Sequence, residues 1–492
     1  MPETYKGLEV AVVGMGKSNQ ALCRYLLGEG ALLTCFDRKT REELGEVYQE
    51  FSNMGVKWSL GPDYLDKLPG YRYIFLTPGM KKHQPQVIEA KQRGAEISTE
   101  IYLFLKRCKA VVGGVTGSAG KTTTCMLVKL MLEHSMPDTP IFLGGNIGPV
   151  LIEQVDRIPE NARVVLELSS FQLHLCTRSP QYALLLNIRP NHLDIHKDFD
   201  EYTEAKKNIF RFQSAKDLAV LNYDESLTRA AAAECPGRSG FFSLKGYPET
   251  KPGPSNAPVA WLQGDDLVYD PGDGTPPCVV GYKQDFRVPG AHNISNALGA
   301  IVLAMQMGAN PEGIREAIRK FRGIEHRIEF VRELDGVCFY NDSIATSPDR
   351  TIALIDSLEG PLVLILGGYD KGLPFDELAE RIVARRCKVV LIGRCADKIR
   401  QAVERAWAGS DLAGRRALTE SGPSRICTGR PQTSLSKPEM AEAGGLEEAV
   451  RIAFSMAEPG ASVVLSPACA SYDMFSSFEE RGRLFKQVVK AL

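Results

Sequence analysis

The stretch from Val111 to Leu130, VVGGVTGSAGKTTTCMLVKL, breaks an apolar run with glycines, then reads GKTTT before a second apolar run. This pattern predicts a strand, a phosphate-binding loop and a helix. In such a loop backbone N–H groups and the helix N-terminus face an anion, while small residues let the main chain come close. Lys121 would reach the outer phosphates and Thr122 would offer a hydroxyl to Mg²⁺. The general pattern places a glycine six residues before the lysine, where this chain has Val115; its glycines sit at Gly114, Gly117 and Gly120. The competing reading is a tight turn after a strand.

Other chemistry-bearing residues recur at predicted strand ends. Glu167 closes the β-rich run in VVLELSSFQL, placed as a magnesium ligand beside the loop. His192, Asp194 and His196 crowd the segment after YALLLNI, with His192 the favoured functional candidate. Lys206 and Lys207 by themselves read as a solvated helix face. Near the N-terminus, Gly14-x-Gly16 and Asp37 suit a phosphate-bearing ligand with a sugar or base, and Thr77-Pro78-Gly79 could close the same pocket. The third glycine of a dinucleotide fingerprint falls on Asn19, so a dinucleotide, nucleotide or sugar nucleotide is allowed. Asn293 and Asn296 cap a helix start or bond an adenine or ribose. Asp342, Lys371 and Ser471 each lie just past a predicted strand, which would gather them at one sheet edge.

The elements that must position these groups alternate strand and helix, which predicts an α/β chain with parallel sheets. Its 492 residues exceed one ordinary core and suggest three domains. We expect a Rossmann-like domain over 1–102 and a phosphate-loop domain over 103–323, with a small peripheral β region at 235–285. A second Rossmann-like domain follows over 324–492, carrying a surface insertion at 407–445 with little periodicity. No internal repeat is evident.

Lys plus Arg number 59 against 60 Asp plus Glu, a net charge of −1 that gives no global field for nucleic acid or an anionic membrane. No apolar run approaches the roughly 18 residues that span a bilayer, and no signal peptide is seen, so a cytoplasmic protein is expected. Twelve cysteines without a C-x-x-C pair predict reduced thiols.

TGSAGKTTT, GGNIG, ELSSFQL, NHLDIH, EAKKNIF, HNISNA, EHRIE, NDSIATSP, GGYDKG and SPACASYDMFSSFEERG together resemble the Mur ligases, across nearly the whole chain except 407–445. SPACASYDMF with NDSIAT points to the D-glutamate-adding members; the alternatives are another Mur ligase or a folylpolyglutamate synthase-type ligase. The resemblance implies a monomeric ATP- and Mg²⁺-dependent ligase that joins D-glutamate to UDP-N-acetylmuramoyl-L-alanine through an acyl phosphate. It implies that Gly117, Ser118, Ala119, Gly120, Lys121, Thr122, Thr123, Asn296, Arg327 and Asp342 hold ATP. Gly14, Met15, Gly16, Lys17, Ser18, Asp37, Arg38, Thr77, Pro78 and Gly79 would hold the UDP-substrate, with Asn146, Ser169 and Gln172. Thr346, Lys371, Ser471 and Phe478 would surround D-glutamate. Thr122, Glu167, His192 and Lys206 would ligate magnesium, Lys206 as a carbamate, which reverses its reading as a solvated lysine. Where relatives commonly carry NDSKAT, Ile344 offers no cation, so charge neutralisation falls on Lys371 or another basic group. A nicotinamide-dependent dehydrogenase would leave GKTTT without a role; a nucleotide-gated binding protein would hydrolyse ATP without an acceptor amine.

Overall fold

The computed structural model describes residues 1–80, 83–190, 196–248, 256–420 (backbone alone over 410–420) and 437–492. The chain forms two compact units, Met1–Phe286 with Ala291–Lys320, and Arg287–Gly290 with Phe321–Leu492.

The first unit carries two sheets. Strands β1 (Glu9–Val13), β2 (Leu32–Asp37), β3 (Lys57–Leu60), β4 (Tyr73–Leu76) and β5 (Glu96–Ser98) form a parallel sheet in the order β3-β2-β1-β4-β5. β1 is buried from Val10 to Val13 because helices cover both faces, which explains its continuous apolar run. The strand order reverses between β1 and β4, so the crevice for a ligand opens at their C-terminal ends.

The second sheet contains β6 (Val111–Thr116), β7 (Ile141–Gly145), β8 (Arg163–Glu167), β9 (Tyr182–Leu185), β10 (Leu218–Asn222), β11 (Arg238–Ser243), β12 (Val259–Gln263), β13 (Asp266–Asp270) and β14 (Cys278–Tyr282). Their order is β14-β13-β12-β11-β10-β9-β6-β8-β7. β7 to β12 run parallel, and β12-β13-β14 is an antiparallel meander. The β region expected at 235–285 thus continues the central sheet as its edge. In register, Val115 of β6 lies beside Glu167 of β8 and Leu184 of β9, so three loops emerge together.

Glu100, which opens helix Glu100–Arg107, is 5% exposed, and burial pushes its carboxyl up to about 8. The unfolded chain releases this proton near the ordinary pKa of 4.5, whereas the fold holds it to about 8. Stability conferred by this group is therefore present at low pH and lost as pH rises through that window. Glu100→Gln should raise the melting temperature more at pH 8 than at pH 5, by an effect on the order of a few kcal/mol. Thermal melts at the two pH values test this; an equal shift at both would contradict it.

The second unit holds β15 (Glu329–Leu334), β16 (Val337–Asn341), β17 (Leu362–Gly367), β18 (Lys388–Ile392), β19 (Met440–Glu442) and β20 (Ser462–Leu465), ordered β15-β16-β20-β17-β18-β19. Only β15 is antiparallel to its neighbour. Along β17, Leu362, Leu364 and Leu366 enter one apolar core and Val363 and Ile365 the opposite one, the period-2 pattern of a strand covered on both sides. The segment 407–445 begins inside helix Ala396–Glu420 and ends beyond β19; residues 421–436 lie outside the described part.

Candidate functional site

At the end of β6 the chain turns through Gly117-Ser118-Ala119-Gly120 into helix Lys121–Ser135. Gly120 has φ +87, and a Cβ there would lie 2.4 Å from Asn296 Oδ1. The turn needs glycine for both reasons. Val115, the departure from the general motif, sits within β6 and is fully buried, so it belongs to the sheet and leaves the turn unaffected. Gly120→Ala should destabilise the first unit by about 1–2 kcal/mol, since alanine is strained at this left-handed φ and Asn296 must also move. Chemical denaturation followed by circular dichroism checks this; an unchanged midpoint would contradict it.

Two lysines meet on one loop carbonyl. Lys121 Nζ donates to Gly117 O at 2.9 Å and Lys206 Nζ to the same oxygen at 2.8 Å. Lys206 projects inward from helix Phe199–Arg211, is 1% exposed, and lies 4.6 Å from the centroid of the Tyr202 ring. Burial, reinforced by the Lys121 charge, holds its pKa well below the ordinary lysine value and favours the neutral amine. The reading of Lys206 as part of a solvated face is corrected here: the side chain is on the inner face of an amphipathic helix.

Glu167 is 2% exposed at the end of β8. Its Oε2 accepts from Thr122 Oγ1 at 2.7 Å and its Oε1 from Asn146 Nδ2 at 3.0 Å. Just beyond, Ser169 caps helix Ser170–His174. Its Oγ accepts from Gln172 N at 3.3 Å, and Gln172 Oε1 accepts from Ser169 N at 3.0 Å. Thr123 follows in the loop helix, partly exposed. His192 and Asp194 lie outside the described residues; His196 is buried and 3.0 Å from Ser170 Oγ.

Several residues that hold this loop are not among the candidates read from the sequence. Asn187 Oδ1 accepts from Ala119 N at 2.9 Å, and its Nδ2 donates to Ala119 O at 3.0 Å. Ser118 Oγ donates to Arg189 O at 2.9 Å and accepts from Tyr202 OH at 2.9 Å. The loop is fixed from the side by the chain leaving β9. An Asn just past a strand end was the sole sequence signal, and its partner lies 68 positions away.

In the first sheet, Gly14 has φ +84 and a Cβ there would approach Thr77 Cγ2 to 2.7 Å, so the β1 and β4 turns are in contact. Asp37 Oδ2 accepts from Met15 N at 2.8 Å and Oδ1 from Lys39 N at 3.0 Å. Asp37 thereby braces the turn that leads through Gly16 into helix Lys17–Gly28, with Ser18 in its first turn. Asn19, which replaces the third glycine, donates to Val13 O at 2.9 Å and Gly14 O at 2.7 Å. Arg38 lies in the turn after β2, and Pro78 and Gly79 in the turn after β4.

In the second unit, β16, β20 and β17 are neighbours, and the loops after them carry Asp342, Ser471 and Lys371. Asp342 is 4% exposed; its Oδ1 accepts from Ile328 N at 3.1 Å and its Oδ2 from Ser466 Oγ at 2.9 Å. Burial pushes its carboxyl up to about 7, opposed by these bonds and by the Arg327 charge. Lys371 Nζ donates to Thr346 O at 3.3 Å, and Arg350 Nη1 to Ile344 O at 3.3 Å, which puts a second cation beside Ile344. Phe478 O accepts from Ser343 Oγ at 2.7 Å. Arg481, fully buried and missed in sequence, donates to the carbonyls of Ser343, Cys469 and Ala470, tying two strand-end loops together.

A phosphate loop at the end of a mostly parallel sheet, backed by a buried carboxylate, defines a nucleotide-using class of protein. The chain belongs to the Mur ligase family. Family models described as the Mur ligase MurD-like N-terminal domain, the Mur ligase middle domain and the Mur ligase glutamate ligase domain match residues 8–99, 115–304 and 326–469. It is similar to the UDP-N-acetylmuramoylalanine–D-glutamate ligase of Symbiobacterium thermophilum, 45% identical over 482 residues that cover 98% of each chain. The enzymes of the same name from Acetivibrio thermocellus and Clostridium novyi are both 42% identical, over 99% and 98% of this chain and 97% of each relative. No helix among the described residues is long and apolar enough to cross a membrane.

Proposed function

We propose that the protein is an ATP-dependent ligase that joins D-glutamate to UDP-N-acetylmuramoyl-L-alanine, releasing ADP and phosphate. The observation that carries this reading is the full-length similarity to ligases of that name at 41–45% identity. The working domains are 1–102 for the UDP-substrate, 103–323 for ATP and 324–492 for the amino acid.

A free carboxylate resists amide formation because its leaving group is poor and an amine merely takes its proton. Phosphorylation removes that obstacle. The alanyl carboxylate attacks the γ-phosphorus of ATP, ADP departs, the D-glutamate amine adds to the acyl phosphate, and phosphate leaves from the tetrahedral adduct. Two anions must meet in the first step. The N-terminus of helix Lys121–Ser135 and the Lys121 ammonium offset that repulsion, in a site whose groups are already oriented. Thr122 and Glu167 form an oxygen donor pair that fits a hard divalent cation, and Lys206 as a lysine does not. As a carbamate it would, and a neutral buried amine is the form that takes up carbon dioxide. Bound Mg²⁺ supplies charge neutralisation on the phosphates.

Gly14, Met15, Gly16, Lys17, Ser18, Asp37, Arg38 and the Thr77-Pro78-Gly79 turn are assigned to the UDP-substrate, with Asn146, Ser169 and Gln172. Asn296 and Arg327 are assigned to the nucleotide, Asp342 to its ribose, and His192 to magnesium. Thr346, Lys371, Ser471 and Phe478 take D-glutamate, with Arg350 sharing the charge that Ile344 lacks. ADP release measured with UDP-N-acetylmuramoyl-L-alanine and D-Glu, L-Glu, L-Ala or diaminopimelate tests the whole reading. Turnover is expected with D-Glu, and preference for any other acceptor would overturn the substrate assignment.

A further inference from the structure

Apart from the phosphate loop, the first unit gathers three histidines around a single carboxylate. His174 Nε2 is 3.6 Å from Glu201 Oε1, His196 Nδ1 is 3.4 Å from Glu201 Oε2, and His83 Nε2 is 2.9 Å from Glu201 Oε1. The donor atoms of His174, His196 and Glu201 all lie within 4.8 Å of one another. The separations of 3.4 and 3.6 Å exceed a good hydrogen bond, typically about 2.7–3.2 Å. Measured to the two oxygens of one carboxylate, they leave room for a shared ion, since ligand atoms on a tetrahedral ion stand about 3.3 Å apart when each metal bond is about 2.0–2.1 Å.

The surroundings orient these groups as ligands. The His196 ring is set by Ser170 Oγ, 3.0 Å from its Nε2, so that Nδ1 is the nitrogen on the Glu201 side. The His174 and His196 rings are stacked, 11° from parallel with centroids 5.6 Å apart. Glu201 Oε2 accepts from Lys197 N at 2.7 Å, and Asp198 caps the start of the helix on which Glu201 sits. Pro78, Met80 and Phe171 line the rest of the cleft, an apolar wall. His83 is 63% exposed in its side chain and reaches the same carboxylate from the chain after β4.

We propose that His174, His196 and Glu201, with His83 as fourth ligand, form a binding site for a Zn²⁺-class ion that pins the turn after β4 to the central sheet. Imidazole nitrogens with one carboxylate suit borderline first-row ions, whereas Mg²⁺ prefers an all-oxygen shell. An ion held there joins the chain after β4, the end of helix Ser170–His174 and the start of helix Phe199–Arg211. Because it binds the folded chain, it should also raise the melting temperature.

The test uses the chelator-treated full chain, dialysed against Zn²⁺ with Mg²⁺ in excess, followed by metal analysis. One Zn²⁺ per chain is expected, with affinity at least tenfold lower in His174→Gln and in Glu201→Gln, and unchanged in Glu167→Gln. Circular dichroism confirms that each variant is folded. Co²⁺ on the unmodified chain gives a second readout independent of mutation. An intense visible absorption from tetrahedral coordination, bleached by Zn²⁺, is expected. Failure to take up Zn²⁺, uptake lost in Glu167→Gln but kept in the other two variants, or a weak octahedral Co²⁺ spectrum overturns the proposal.

Discussion

Lys121→Ala is expected to slow ADP release by at least about a hundredfold, the effect of removing one preorganised charge worth on the order of 3 kcal/mol. The loop carbonyl of Gly117 already holds the ammonium where phosphate oxygens would arrive, and the backbone turn does not depend on that side chain for its shape. Gly120 and Asn187 set the turn. Binding of the UDP-substrate should therefore survive, because its assigned pocket lies at the ends of β1 and β4. Steady-state ADP release and calorimetric titration with UDP-N-acetylmuramoyl-L-alanine separate the two effects. Undiminished turnover would remove Lys121 from the assigned machinery. Lys121→Arg should not restore the rate, since a planar guanidinium cannot occupy the place of a compact ammonium in so close a loop.

Lys206→Ala should cost a comparable factor, again about a hundredfold, but with a different signature. If the functional form is a carbamate, a small carboxylate such as formate or acetate should enter the space left by the buried lysine and recover part of the rate. The unmodified enzyme supplied with ¹³C-bicarbonate should show one carbamate resonance that is missing in Lys206→Ala. Formation needs a neutral amine, which burial beside Lys121 favours, so labelling should persist at pH values where exposed lysines stay charged. Lack of both rescue and resonance would leave Lys206 as a structural donor to Gly117.

The α/β class and the alternating order of elements were legible because the strands are buried on both faces and so read as apolar runs. The phosphate loop was legible because glycine, lysine and threonine at fixed spacing have one obvious use. What escaped was what depends on partners distant in sequence. The lateral clamp of Asn187 and the buried fork of Arg481 look like ordinary polar residues until the sheet brings their carbonyls and amides near. Lys206 was misread from its neighbours because EAKK is charged, and only the helical phase turns this one lysine inward. Asn19 looked like a damaged fingerprint, yet its amide replaces glycine's close approach with two hydrogen bonds to the same turn. In 407–445 the lack of periodicity hid the continuation of helix Ala396–Glu420, whose apolar stripe of Ile399, Ala402, Val403 and Trp407 lies in its first half.

The first unit's main apolar core takes residues from both of its sheets, from Val10 and Leu22 through Leu151 and Val164 to Phe241, whereas the cores of the second unit draw on its own strands and helices. During synthesis the opening hundred residues would emerge with a greasy flank still waiting for its cover, and would be prone to stick to other nascent chains until the central sheet arrives. The carboxy-terminal part suffers no such delay. Expressed by itself from Phe321 onward, it is the fragment to expect in the soluble fraction, and the excised leading sheet the one to find in the pellet.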